Sequence, residues 1–226
     1  MNLEEHYDNL YRASIKKIMD DNYEVDKLIN SPLDNRFGIT LLIRPSNDIK
    51  NNIQKILNKF KSIDPNQYYY KNSDIHITVM SIISCYDGFQ LEHIDVSEYI
   101  HLISKSLIKN PNIKIEFKGI TASPSCIMIQ GFMNNNFLNL IRNNLRDNFK
   151  NSNLQQSIDE RYTIQTAHTT VIRFQNEIQN KPEFLKMIER FRNYTFGSFK
   201  VKNLELVYND WYQKEKQVKK LHFFNI

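Results

Sequence analysis

One pattern occurs twice in the chain: a histidine followed two places later by a threonine. The two strings are Ile75-His76-Ile77-Thr78-Val79 and Ala167-His168-Thr169-Thr170-Val171. Their apolar residues are typical of buried β-strands. Side chains alternate between the faces of a strand, so His76 and Thr78 share one face, as His168 and Thr170 do. If the two strands lie side by side, they form a pocket with two proton-transfer groups and two hydrogen-bond donors, which suits in-line displacement at phosphorus.

The hydrophobic pattern indicates the elements that must position these residues. It predicts helical structure in the first 30 residues, a strand at 36–43 and a helix after the cap residue Ser46. The first His-x-Thr strand is predicted at 75–83, and the second follows a polar segment at 151–160. The other predicted elements are helices at 96–108, 134–150 and 182–191, a hairpin of 113–117 with 126–132, and closing strands at 198–208 and 217–225.

The order of these elements in the second half of the chain repeats the order in the first half. This repetition predicts an α+β fold with two pseudo-symmetric lobes of antiparallel sheet, helices on the outer faces and a central cleft. Residues 36–226 would form this bilobal domain, and residues 1–35 an N-terminal helical extension. The pseudo-symmetry would place both His-x-Thr strings at the shared centre.

Composition narrows the class of protein. The 226 residues include 5 Gly and 6 Pro against 12 Tyr and 14 Phe, which favours a packed core over disorder. The net charge of +5 favours anionic partners, although the basic residues are scattered. The chain shows neither a signal peptide nor a membrane span, and Cys85 and Cys126 have no metal-binding spacing. We therefore expect two free thiols, a cytoplasmic location and no membrane partner.

The duplicated motif resembles the signature of the two-histidine (2H) phosphoesterase superfamily, which includes the bacterial RNA 2′,5′-ligase-like cyclic phosphodiesterases. The strand and helix at 36–56 are also similar to the first elements of that family, and Arg173 matches a basic residue after its second motif. The resemblance begins near Arg36 and leaves the extension unexplained. Residues 80–83, Met-Ser-Ile-Ile, depart from the ending of the family's first motif, so the subfamily and the substrate stay open.

The resemblance implies a metal-independent phosphodiesterase that uses two histidines as acid and base. An imidazole titrates near pH 6.5, so one ring can accept a proton while the other donates one. Thr78 and Thr170 would hydrogen-bond the non-bridging phosphate oxygens. We expect no metal and no cofactor, because ligand spacings and Gly-rich phosphate loops are missing from the sequence. The sequence assigns neither His76 nor His168 to one role, since different substrates exchange the roles.

Three further residues are candidates for substrate binding. Arg173 has the opposite strand parity to His168, so it reaches the phosphate only if its strand ends or bulges there. Tyr70 closes a run of three tyrosines that could stack on a base or pack in the core, and Tyr162 is equally ambiguous. Trp211 is interpreted as a packing residue.

Two functions from different classes remain open on the sequence. The first is a phosphodiesterase, expected to be a monomer, that acts on an RNA terminus or a small nucleotide with a 2′,3′-cyclic phosphate or a 2′,5′ linkage. The second is an RNA- or nucleotide-binding module that has the same fold and no turnover. A structural alternative also exists, in which His76 and His168 are core residues satisfied by backbone or by the neighbouring threonine.

Overall fold

The computed structural model describes residues 2–226, which form five α-helices and nine β-strands. The helices are α1 (Leu3–Met19), α2 (Asn47–Ile63), α3 (Val96–Ser106), α4 (Phe137–Lys150) and α5 (Lys181–Arg190). The strands are β1 (Arg36–Ile43), β2 (Tyr68–Tyr69), β3 (Ile77–Asp87), β4 (Lys114–Ser123), β5 (Cys126–Met133), β6 (Thr169–Arg173), β7 (Thr195–Lys200), β8 (Asn203–Asp210) and β9 (Lys219–Asn225).

The strands form two antiparallel sheets, which confirms the predicted α+β class. Sheet A has the order β3-β1-β8-β9, and sheet B has the order β2-β6-β5-β4-β7. Helices α3 and α4 pack on sheet A, whereas α2 and α5 pack on sheet B. Each lobe is therefore a sheet with a pair of helices, as the repeated element order predicts.

The internal repeat has a structural counterpart in two strand-helix-strand units. Strands β1 and β3 are antiparallel neighbours joined through α2, and β5 and β6 are antiparallel neighbours joined through α4. In each unit the helix packs on the other sheet, α2 against β7 and α4 against β3. Each unit thus has its strands in one sheet and its helix on the other, and β3 and β6 are the second strands of the two units.

Apolar spacing explains why these segments adopt these conformations. In α2, Ile49, Ile53 and Phe60 recur at helical spacing and are all buried, so one stripe of the helix enters the core. Residues 38–43 of β1 are buried without alternation, because this strand is central in its sheet and covered on both faces.

The N-terminal helix is docked on sheet B. Helix α1 packs against β4, with Tyr7 and Ile18 buried at 1% and 0% exposure. At the exposed edge of this contact, Asp8 of α1 forms an ion pair with Arg192, and the Arg192 guanidinium lies over the ring of Tyr11. Helical structure ends at Met19, earlier than the predicted 30 residues, and 27–30 form only a turn.

One closing segment differs from its prediction as a single strand at 198–208. The chain leaves strand geometry at Val201 and Lys202 and crosses between the lobes, so β7 pairs with β4 in sheet B and β8 with β1 in sheet A. The apolar pattern continues across this crossing because both strands face packed cores. Among residues 2–226, no helix is both long and apolar enough to cross a membrane. Cys85 and Cys126 are free and buried.

Candidate active site

The sequence pattern predicts His76 within a strand at 75–83, but the structure places it one residue before β3. A turn at 72–74 precedes it, and the His76 Nδ1 is 2.8 Å from the backbone carbonyl oxygen of Asp74. A carbonyl oxygen only accepts hydrogen bonds, so Nδ1 must hold a proton. The neutral ring of His76 therefore has its lone pair on Nε2.

His168 occupies the matching place, one residue before β6. Its Nδ1 lies 2.6 Å from the Thr166 hydroxyl oxygen. A hydroxyl can donate or accept, so this partner is compatible with either protonation state of the imidazole. Both histidines are partly exposed to solvent, unlike their strand neighbours Ile77 and Thr169, which are buried.

The connection between β2 and β3 brings the two motifs to one junction. Strand β2 pairs with β6, and the Tyr70 amide donates to the Val171 carbonyl oxygen at 3.0 Å. The chain then leaves sheet B and enters sheet A at Ile77. The first histidine thus follows directly on a segment that is hydrogen-bonded to the strand of the second histidine.

The guanidinium of Arg142, in α4, hydrogen-bonds backbone carbonyl groups near both motif histidines. Its Nε donates to the Val79 carbonyl oxygen at 3.0 Å, and its Nη2 donates to those of Thr78 at 3.0 Å and Thr166 at 2.8 Å. Nη1 donates to Asn139 at 3.0 Å. The side chain is completely buried. One guanidinium therefore bridges sheet A and sheet B at the level of the two histidines.

Burial controls the titration of both imidazoles. It lowers the pKa of His76 to about 3, and Arg44, Arg173 and His168 add to this effect. Burial also lowers the pKa of His168 to about 4, with further contributions from Arg142, His6 and Arg173. Removal from water disfavours the charged form. Both rings are neutral at pH 7 in the unliganded protein, and Arg173 acts on both of them.

These pKa values predict that the free protein loses stability on acidification. Unfolded histidine titrates near pH 6.5, so between about pH 6.5 and pH 4 the unfolded state binds more protons than the folded state. The contribution is complete above pH 6.5 and is lost as the pH falls. Urea unfolding at several pH values should show a shallower decline for the double variant His76→Gln/His168→Gln. Equal slopes for the two proteins would contradict this assignment.

A groove of about 570 Å³ opens beside the second motif. Its lining includes His168, Thr170 and Arg173. The sequence allowed Arg173 to reach this side only through an irregularity, and the structure contains one. The pairing of β5 with β6 shifts register between Ile172 and Thr170, which turns Arg173 to the side of Thr170.

Thr78 lines a smaller adjoining cavity of about 80 Å³. Arg161 and Tyr162 border both this cavity and the groove. His76 is not part of either lining, although its titration responds to His168 and Arg173. The segment with Arg161 and Tyr162 thus lies between the threonines of the two motifs.

The two candidate tyrosines have different positions. Tyr162 is 62% exposed at the edge of the groove, whereas Tyr70 is 1% exposed. The Tyr70 hydroxyl accepts a hydrogen bond from Arg173 Nε at 3.0 Å. Tyr70 therefore supports Arg173 from behind and presents no ring face to the groove, while Tyr162 does have a free surface.

Several residues at this site carried no functional prediction. Trp211, interpreted as packing, lines the groove with the Arg161 guanidinium 4.0 Å from its ring centre. For two other residues near the motifs, Arg142 and Thr166, the sequence does contain a signal. Arg142 lies on the apolar stripe of α4, where a charge is unusual, and Thr166 has the same strand parity as His168. No local signal distinguishes Tyr7 of α1, which also lines the groove.

Within the described residues 2–226, no group of three or more His, Cys, Asp and Glu side chains is placed to hold an ion. The arrangement instead offers two neutral imidazoles, hydroxyl groups and the guanidinium of Arg173. Such a set can move protons and bind an anion.

Comparison with known proteins identifies relatives at the level of a domain family and of the fold. Residues 41–218 match the family model of the AKAP7 2′5′ RNA ligase-like domain. A comparison with curated proteins finds no match.

Solved structures with a similar fold include TT0787 of Thermus thermophilus, with a TM-score of 0.57 and 14% identity over 83% of this chain and 96% of that one. Escherichia coli LigT complexed with 3′-AMP has a TM-score of 0.57 and 12% identity, covering 85% of this chain and 99% of LigT. LigT complexed with NADP⁺ has a TM-score of 0.58 and 13% identity, covering 84% and 98%. At these identities the likeness describes the fold.

Proposed function

The chain belongs to the AKAP7 2′5′ RNA ligase-like domain family, within the two-histidine phosphoesterase superfamily, and we propose that it is a phosphodiesterase. Its substrates would be RNA ends or small nucleotides with a 2′,3′-cyclic phosphate or a 2′,5′ linkage. The equivalent positions of His76 and His168, each one residue before its strand at the junction of the sheets, support this proposal most directly. The nucleotides bound by LigT agree with such a substrate class.

In the proposed reaction, His76 is the general base and His168 the general acid. The Asp74 carbonyl keeps the His76 proton on Nδ1, so its Nε2 is free to accept one. For a cyclic phosphate, His76 Nε2 takes a proton from water as the water oxygen attacks phosphorus. The bond from phosphorus to one ribose oxygen breaks, and His168 donates its proton to that oxygen. The product is a phosphomonoester, and proton exchange with solvent restores the pair.

Substrate binding would favour the protonation of His168. The pKa of His168 is about 4 in the free protein, and it would rise when a phosphate anion enters, because an opposite charge favours the imidazolium form. Thr78 and Thr170 would hydrogen-bond the non-bridging oxygens, and Arg173 would offset their charge in the transition state. The catalytic groups would be His76, His168, Thr78 and Thr170, with Arg173 and Tyr162 as substrate-binding residues and Tyr70 in support of Arg173.

We also propose that one chain is the functional unit, with residues 36–226 as the catalytic domain. A panel assay tests the function. Purified protein with EDTA is incubated with 2′,3′-cyclic nucleotides, 2′,5′-linked dinucleotides and 3′,5′-linked controls. Turnover of a cyclic or 2′,5′-linked substrate is the expected result. Binding without hydrolysis of any of them would favour the non-catalytic nucleotide-binding module instead.

An activated substrate should separate the roles of the two histidines. A diester with a 4-nitrophenolate leaving group departs without protonation, so it needs a base and no acid. We expect His168→Ala to retain at least about ten times more of the wild-type rate on this diester than on a natural linkage. His76→Ala should lose about the same factor on both substrates. The reverse pattern would exchange the two assignments.

A further inference from the structure

The short segment that leads into β6 is fixed at three successive residues. Arg142 donates to the Thr166 carbonyl oxygen at 2.8 Å, and the Thr166 hydroxyl contacts His168 Nδ1 at 2.6 Å. Between them, Ala167 is completely buried against Gly131 of β5. A Cβ atom at Gly131 would lie 2.0 Å from the Ala167 carbonyl oxygen, so only glycine permits this approach.

Helix α1 reaches the same segment through Tyr7. The phenol oxygen of Tyr7 accepts from the Gly131 amide at 3.2 Å and lies 3.3 Å from the Gly131 carbonyl oxygen. Burial raises the pKa of this phenol to about 12. Tyr7 also lines the groove together with Thr166 and His168. Helix α1 precedes the residues 41–218 that match the family model. A segment outside that domain thus supports the loop that carries His168.

We propose that Thr166 and Tyr7 are positioning residues for His168, so that the N-terminal helix forms part of the reaction site. Tyr7 hydrogen-bonds Gly131, against which Ala167 packs, and the Thr166 hydroxyl contacts the imidazole of the next residue but one. This inference rests on the proposed acid role of His168. It adds that the acid is oriented by a group supplied from α1.

The hydroxyl of Thr166 is suited to a ring that changes its charge. It can accept from Nδ1–H of the imidazolium form and can donate to Nδ1 when that nitrogen is unprotonated. Valine has the same shape but leaves a buried N–H without an acceptor, which disfavours the charged ring. Arg142 from α4, His6 from α1 and Arg173 from β6 all disfavour the charge of His168. His76 is the other titratable group coupled to it, because His168 contributes to the lowered pKa of His76.

The first experiment compares Thr166→Val with Thr166→Ser and Thr169→Val. Misplacement of an acid costs up to about 10²-fold in rate, so we expect Thr166→Val to lower kcat by about 10- to 100-fold. The alkaline limb of its kcat profile should move to lower pH, and KM should change little. Thr166→Ser keeps the hydroxyl and should stay close to wild type. Thr169 is the control, because its buried hydroxyl has no partner among residues 2–226, so Thr169→Val should keep the wild-type kcat.

The second experiment compares two single variants, each of which removes the hydroxyl of one tyrosine of α1. Tyr7→Phe should lower kcat by about tenfold, since Gly131 and the Ala167 segment packed on it are then held less strictly beside His168. Tyr11→Phe is the matched control, because the Tyr11 hydroxyl contacts Glu189 rather than the reaction site. Equal kcat values for Tyr7→Phe and Tyr11→Phe would contradict the role of α1. A kcat profile that is unchanged in Thr166→Val would overturn the whole inference.

Nuclear magnetic resonance of ¹⁵N-labelled histidine distinguishes this inference from the proposed function. The ring nitrogens are titrated in the free protein, with His168 assigned from the His168→Gln variant. We expect Thr166→Val to lower the pKa of His168 and leave that of His76 unchanged. This shift in a protein without turnover would reject the phosphodiesterase and keep the positioning role. Turnover with an unshifted His168 would do the reverse.

Discussion

Replacement of either motif histidine by alanine is expected to reduce kcat on the best phosphodiester by about 10²- to 10⁴-fold, the range for loss of one proton-transfer group. His76 and His168 are both partly exposed, so neither ring is needed to fill the core. Each variant should therefore fold and bind nucleotide with an affinity near that of wild type. Single-turnover assays with calorimetric binding measure the two properties separately.

The double variant His76→Ala/His168→Ala sharpens this prediction. Groups that act in one step are not additive, so the double variant should be only slightly slower than the slower single variant. His101→Ala is the control, because His101 is an exposed residue of α3 away from the groove. Single variants with more than a tenth of the wild-type kcat would be inconsistent with acid–base catalysis by this pair.

The largest effect on stability is expected for Arg142→Met. This change removes three hydrogen bonds from a buried charged donor to carbonyl groups in both motif segments, those of Thr78, Val79 and Thr166. Hydrogen bonds from charged groups contribute about 1.5–3 kcal/mol each, and part of the loss is returned because a buried charge disappears. We expect a net decrease of about 2–4 kcal/mol in the free energy of unfolding, measured by urea denaturation.

Arg146→Met provides the matched control on the same helix. Arg146 lies one turn beyond Arg142, pairs with Asp159 at 2.6 Å and donates to a single carbonyl oxygen, that of Ile164, at 3.0 Å. A partly exposed ion pair contributes about 0–1 kcal/mol and one hydrogen bond about 1 kcal/mol more, so this variant should lose less stability than Arg142→Met. A similar loss of unfolding free energy in both variants would mean that the hydrogen bonds of Arg142 to Thr78, Val79 and Thr166 contribute no more to stability than the contacts of Arg146 do.

The fold was largely predictable from local patterns. The stripe of α4 and the alternation of the β4–β5 hairpin each indicate one element, and the repeated element order indicates two lobes. The chain crossing at Val201 and Lys202 was not predictable, because both flanking strands are apolar and only their partners differ. The short strand β2 was also missed, since two tyrosines have no periodicity to detect.

The candidate site was predictable only in the residues that form a motif. The His-x-Thr strings predict four side chains of the candidate site, but several groups around them come from distant parts of the chain. Tyr7 is 159 residues before Thr166 in the sequence numbering, and nothing local connects the two. Contacts of this kind depend on how α1 docks, which is a property of the tertiary structure. The register shift that turns Arg173 toward the groove also cannot be predicted from the alternation of side chains along a strand.

In the proposed mechanism, His76 and His168 act on one phosphorus atom. A crystal structure with a nucleoside vanadate, which mimics the five-coordinate phosphorus of the transition state, would show whether both rings reach it. We predict a vanadate with the Nε2 atoms of both rings within about 3 Å of its oxygens, on the sides of the entering and the leaving group. A vanadate that contacts only one of the rings, or that binds elsewhere, would rule out joint acid–base catalysis by His76 and His168.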